Sequence, residues 1–311
     1  MGRSSWDSKN ALGELFSQDE ISSRERPSAF LLTTGRSLAT TPRPPEQTNS
    51  KSKLVAEYIA SYQRITHGGL FIDGFAGPQS KEHLDAWTAR RVLEIQPPRI
   101  RRFWLCELDP AGLIQLRRLK DAHHLRPSSR KISVMPGNFN RTVDTILLTG
   151  RIRPKTPTFA FLDQRTMECE WATVRKLATF RSRRKIEIMY FLGTGWLHRA
   201  MASRRDPKRI AECDRWWGGP TWRGLLGLRH DELVQRVVDR FQDELGYGYV
   251  KAYPIHLRES GKKVAFHLIH ASDHEQAPVL MTRAYLKICG DIQNTPSDSQ
   301  GDWVQAFGNA H

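Results

Sequence analysis

Acidic residues are scarce in this chain of 311 residues, where 33 Asp and Glu stand against 48 Lys and Arg for a formal net charge of +15. The imbalance favours polyanionic partners such as nucleic acid over acidic proteins or neutral metabolites. Cysteine is scarcer still, at positions 106, 169, 213 and 289, with no C-x-x-C pair. Such spacing indicates neither a zinc site nor a disulfide framework and reads as reduced thiols. Apolar runs are short, none approaching the roughly eighteen residues of a membrane span. The start, Met1-Gly2-Arg3-Ser4-Ser5-Trp6, has no apolar signal core. A cytoplasmic location away from membranes is therefore expected. What the chain does have is 39% apolar residues, with nine Trp and thirteen Phe, enough to bury a real core.

Residues 1–48 are polar and interrupted, and end in a Pro- and Thr-rich run, so they are expected to form a flexible arm. From Lys51 to Ile65 the apolar positions recur at helical spacing, which opens a domain reaching to about residue 290. Its centre is Leu70-Phe71-Ile72-Asp73-Gly74-Phe75-Ala76-Gly77-Pro78, a short buried strand running into a glycine loop. A helix over 80–93 follows, then a strand from Ile100 that ends at Glu107, and a helix capped by Asp109. Further strands are expected over Ile132 to Met135, Thr158 to Leu162, and Ile186 to Leu192, separated by helices. Two last runs, Tyr249 to Leu257 and Val264 to Ala271, are too close together for a crossover helix and must pair antiparallel. A closing helix is read over Val279 to Ile288 and a polar tail over 291–311.

Five β/α units closed by an antiparallel pair form the strand plan of S-adenosylmethionine (SAM)-dependent methyltransferases. The expected fold is thus α/β and Rossmann-like, with a mostly parallel central sheet, a C-terminal antiparallel hairpin and helices on both faces.

In such sheets ligands bind outside the carboxyl ends of the strands, which singles out the acids that end them. Asp73, Gly74, Ala76 and Gly77 are assigned to the methionine end of the cofactor, Glu107 to the ribose hydroxyls and Asn138 to the adenine side. Glu107 could equally cap the next helix, and Asn138 could serve only its turn. Asp163, at the end of the fourth strand, sits where amino-methyltransferases place an acceptor for the target nitrogen, and it also suits a helix cap. Gln164-Arg165 follows it in place of the usual prolines. No metal ligands are expected. Glu168 and Glu170 alternate and lack a histidine companion, and the scattered histidines 67, 198, 230, 267 and 270 read as structural or surface residues.

Between Trp171 and His230 there are fourteen Lys and Arg against four Asp and Glu. A basic, Trp-rich insertion at about 193–230 follows the fifth strand. Two readings stay open for this region. Arg183, Arg184, Trp196, Arg204, Arg205, Trp216 and Trp217 could neutralise phosphates and stack bases, or the tryptophans could belong to the core and the arginines to a solvated face.

The stretch 52–62, the run Phe71 to Pro78, the run Phe161 to Trp171 and the run Phe266 to Ser272 together resemble the three-Cys-motif partner family, TcmP, over roughly residues 50–290. The resemblance implies a Rossmann-like methyltransferase fold in a bacterial protein encoded beside a partner with a three-cysteine motif. Gln79 departs from the family's Gly-Pro-Gly. Two functions follow as expectations. One is a SAM-dependent methyltransferase acting on or near nucleic acid with a three-cysteine-motif protein. The other, which Gln79 and the missing prolines favour, is a catalytically inactive methyltransferase-like binding module of a mobile-element or defence cassette.

Overall fold

The computed structural model describes residues 46–79, 83–124, 130–165, 167–202, 206–256 and 264–289. The expected arm, apart from its last three residues, and the C-terminal tail lie outside them. So do Arg204, Arg205 and the turn of the last hairpin.

Seven strands form one sheet: β1 (Gly69–Asp73), β2 (Ile100–Glu107), β3 (Lys131–Pro136), β4 (Thr158–Leu162), β5 (Glu187–Leu192), β6 (Tyr249–His256) and β7 (Val264–Ser272). Their spatial order is β3-β2-β1-β4-β5-β7-β6. The first five run parallel, while β7 pairs antiparallel with both β5 and β6. This is the methyltransferase strand plan expected above. Every residue of β4 and of β5 is buried. Alternate side chains of a strand point to opposite faces, so helices must cover the sheet on both.

Helix α1 (Glu46–Ile65) starts five residues before the expected point and carries the apolar row Leu54, Val55, Tyr58, Ile59 and Tyr62, all buried. It lies against α2 (Thr88–Glu94) and against α9 (Gln276–Cys289). The helix read over 80–93 is shorter than expected: a 3-10 turn at Leu84–Ala86 precedes α2. Helices α3 (Pro110–His124), α4 (Phe139–Leu148) and α5 (Trp171–Thr179) link the parallel strands. Asp109 caps α3, accepting the Gly112 amide at 2.8 Å.

The segment after β5 holds α6 (Thr194–Ala202), α7 (Pro207–Trp217) and a 3-10 turn, Pro220–Leu225. Helix α8 (His230–Asp239) then runs into a π-helical turn, Arg240–Glu244. That turn aims the Arg240 guanidinium between two indoles, 3.8 Å from the Trp171 ring and 4.1 Å from the Trp217 ring. Arg240 also donates to the Trp217 carbonyl at 2.8 Å and pairs with Glu244. The stack fastens the inserted helices to α5.

Under α1, the Glu187 carboxylate at the start of β5 is buried and satisfied by Tyr58, by His270 at 2.8 Å and by Ser272 at 3.0 Å. His270 is thus a structural histidine, one of the roles read for it above.

Arg240→Ala loses two cation–π contacts, the bond to the Trp217 carbonyl and the pairing with Glu244, which should lower the unfolding free energy by about 2 kcal/mol. Arg240→Lys, which keeps the charge but not the planar stack, should recover only part of it. Urea midpoints of the two variants and the wild type provide the check.

Candidate functional site

The chain winds outward from β1 through β2 and β3, then returns to the other side of β1 for β4 and β5. A crevice must therefore open at the carboxyl ends of β1 and β4, where the winding reverses. Asp73 and Phe161 are register partners there. The glycine loop leaves β1 at this point, held by the Gly74 amide on the Phe161 carbonyl at 3.0 Å and the Ala76 amide on the Cys106 carbonyl at 2.8 Å.

A hollow of about 270 Å³ of empty space, open solvent included, lies beside the loop. Its walls are Lys51, Asp73, Phe75, Ala76, Gly77, Gln79, Trp87, Phe161 and Asp163, with Ala86, Thr88 and Ala89 completing them. Trp87 closes one side, donating its indole N–H to the Ala76 carbonyl at 2.6 Å.

Asp73 is 2% exposed and accepts the Phe75 amide at 3.1 Å. Burial drives its carboxyl well above the usual range, opposed by the Phe75 amide and reinforced by the nearby Asp163 and Glu107 charges. Glu107 is held differently. Its carboxylate takes the amides of Gly77, Leu108 and Asp109 at 2.8, 2.7 and 2.8 Å. A Cβ on Gly77 would fall 1.9 Å from Glu107 Oε2, so this glycine is needed for the acid to reach the loop.

Asp163 is the residue whose surroundings the sequence reading missed most. Both of its oxygens accept from Lys51 Nζ at 2.7 Å. Lys51, near the start of α1, is 1% exposed and sits over the Phe191 and Phe266 rings at 4.9 and 5.7 Å. The amide of Gln79 reaches Asp163 Oδ2 at 3.5 Å. So the structure brings Asp73, Ala76, Gly77 and Asp163 to one hollow, sets Glu107 behind Gly77, and adds Lys51 and Gln79.

Other expectations need correction. Asn138 does not line the hollow: it is exposed, and its side chain caps α4 by accepting the Asn140 amide at 2.9 Å. Gly74 faces the ring of Phe139, where a Cβ would meet Cδ1 at 2.7 Å, and is likewise not in the wall. Trp216 and Trp217 are not free to stack bases. They are 2% and 9% exposed, and their indoles donate to the Tyr190 hydroxyl at 2.7 Å and the Thr221 hydroxyl at 3.0 Å. The cause is the apolar stripe of α7, which buries Cys213, Trp216 and Trp217 together. Arg183 and Arg184 are exposed, but they precede β5 and so lie at the amino end of the strands, on the edge opposite the hollow. Arg204 and Arg205 fall outside the described residues, as does the side chain of Trp196.

The histidines are less scattered than they read. His198 and His230 have ring centroids 5.0 Å apart, and His267 is pushed down to about 4 by burial and by His256 and His230. His267 also meets the Thr194 hydroxyl at 3.1 Å.

Asp73 carries a pH prediction. Its folded value lies above the usual 3.8, so the stability it contributes is full in acid and is lost as pH rises through the folded value. Asp73→Asn removes the charge in the same shape. Its melting temperature relative to wild type should rise between pH 4 and pH 8, as read by thermal unfolding at both values.

No family model and no curated protein matches the chain. Among solved structures it is similar to TYW2 of M. jannaschii in complex with AdoMet, at 11% identity and a TM-score of 0.33, over 69% of this chain and 74% of that one. It is also similar to the small RNA methyltransferase HEN1, at 12% identity and a TM-score of 0.41, over 73% of this chain and 26% of that one. The match thus spans about a quarter of the HEN1 chain.

Proposed function

We propose that this protein is a SAM-dependent methyltransferase acting on or near nucleic acid, in company with a three-cysteine-motif partner. One observation carries the enzymatic part: the carboxyl ends of β1 and β4 place Asp73 and Asp163 in one hollow, with the glycine loop as its wall and Glu107 behind it. That is the reversal point of an open α/β sheet whose order is the methyltransferase one.

The residues present suit a zwitterionic ligand. Asp73 is a buried carboxyl whose charge is disfavoured, and an incoming ammonium would restore it. Glu107 uses three of the roughly four acceptor positions of a carboxylate on backbone amides, which leaves capacity for a ribose hydroxyl. The hollow lies against Asp73 and the glycine loop, which would put the amino-acid end of the cofactor there with adenosine toward Glu107. When bound, SAM supplies a methyl group already activated on sulfur, so the chain has to orient the acceptor and exclude water. In this reading Asp163 touches the acceptor.

The nucleic-acid part rests on the net charge of +15 and on the basic segment, now without its tryptophans. The partner rests on the family resemblance alone. Among the described residues no helix is long and apolar enough to cross a membrane, and a cytoplasmic location is in keeping with this.

Isothermal calorimetry with S-adenosylhomocysteine tests the reading. The wild type should bind, and Asp73→Ala should weaken binding at least about tenfold, the loss of one charge-assisted contact. Absence of binding, or equal binding by Asp73→Ala, would leave the inactive binding module as the better account.

A further inference from the structure

The pairing of Lys51 with Asp163 bears on which acceptors the hollow can serve. We propose that the acceptor is a hydroxyl, not an amine, and that Lys51 is the residue that selects it; this rests on the methyltransferase reading above.

An amine acceptor approaches neutral and gains positive charge as its nitrogen bonds to carbon. A fixed cation beside the acceptor opposes that charge, and Asp163 carries one. Lys51 Nζ lies 2.7 Å from each of its oxygens, and Gln79 adds an amide donor at 3.5 Å. Nor can the ammonium swing away, because the side chain is 1% exposed and rests over the Phe191 and Phe266 rings.

A hydroxyl develops the opposite charge. It must lose a proton, and its oxygen becomes negative on the way to the ether, so a fixed ammonium stabilises that oxygen as it forms. Atoms and charges balance with the groups on the page and the sulfonium cofactor. The hydroxyl proton passes to a carboxylate oxygen of Asp163. The oxygen lone pair forms the new bond to the methyl carbon, and the carbon–sulfur bond breaks with its electron pair left on sulfur. Products are a methyl ether, a neutral thioether and a protonated Asp163.

The test uses the full chain with methyl-labelled SAM and, in parallel, an RNA and a DNA of the same sequence. RNA offers ribose hydroxyls and base amines, whereas DNA offers the amines without the 2′-hydroxyls. Label is expected in RNA alone and, after digestion to nucleosides, on the ribose. In Lys51→Met the ribose label should fall at least about 100-fold, the effect of removing one oxyanion donor. Lys51→Arg, which keeps the cation, should recover part of it. Label on base amines of either polymer overturns the proposal, and so does undiminished ribose labelling by a folded Lys51→Met. If Lys51→Met does not fold, the position of the label in the wild-type product decides alone. Calorimetry with S-adenosylhomocysteine on the same preparations separates the two levels of failure. A wild type that binds the ligand but labels neither polymer refutes the hydroxyl proposal and leaves the cofactor reading standing. A wild type that does not bind it removes both.

Discussion

The contact on which the arrangement of the crevice depends is the buried ion pair between Lys51 and Asp163. It joins the start of α1 to the end of β4 across 112 residues of sequence, with neither side chain open to solvent. Removing two charges from water is costly, and a lone survivor would be worse, at about 3–5 kcal/mol for breaking such a pair. The pair therefore says little about net stability, but it ties α1 to the end of β4. A helix that covers the core thereby becomes a wall of the candidate site.

Helix α1 also reaches the other end of the sheet. Seven residues after Lys51, roughly 10 Å along the axis, Tyr58 meets the buried Glu187 at the start of β5, where His270 and Ser272 complete the carboxylate's partners. One helix thus satisfies a buried acid at each end of the parallel strands. The two ends differ in what they leave over. Glu187 is surrounded by partners, whereas Asp73 keeps a disfavoured charge beside the hollow. That asymmetry is the reason the carboxyl end is proposed as the functional one.

Much of this was legible in the residues. The run Thr158 to Leu162 is apolar throughout because both of its faces are covered, and Asp73 and Gly77 mark the loop because a strand end with nearby backbone needs them. The antiparallel hairpin followed from the short connection between its strands. Lys51 was not legible: it stands in Ser50-Lys51-Ser52-Lys53, which reads as a solvated helix start, and its partner lies on a distant strand. The fate of Trp216 and Trp217 was equally hidden, because a basic helix with an apolar stripe has one sequence pattern whether that stripe meets bases or core. The structure chose the core, through Tyr190 and Arg240. The meeting of His198, His230, His256 and His267 needed four separate elements to be placed first.

The central claim is spatial: a SAM-shaped ligand occupies the crevice between the glycine loop and the Lys51–Asp163 pair. A crystal structure of the full chain grown with S-adenosylhomocysteine tests it most directly. The account predicts ligand density with its amino group against Asp73 and its ribose toward Glu107, the ion pair forming the far wall. Ligand density elsewhere on the molecule, or a crevice without ligand at saturating concentration, would contradict it.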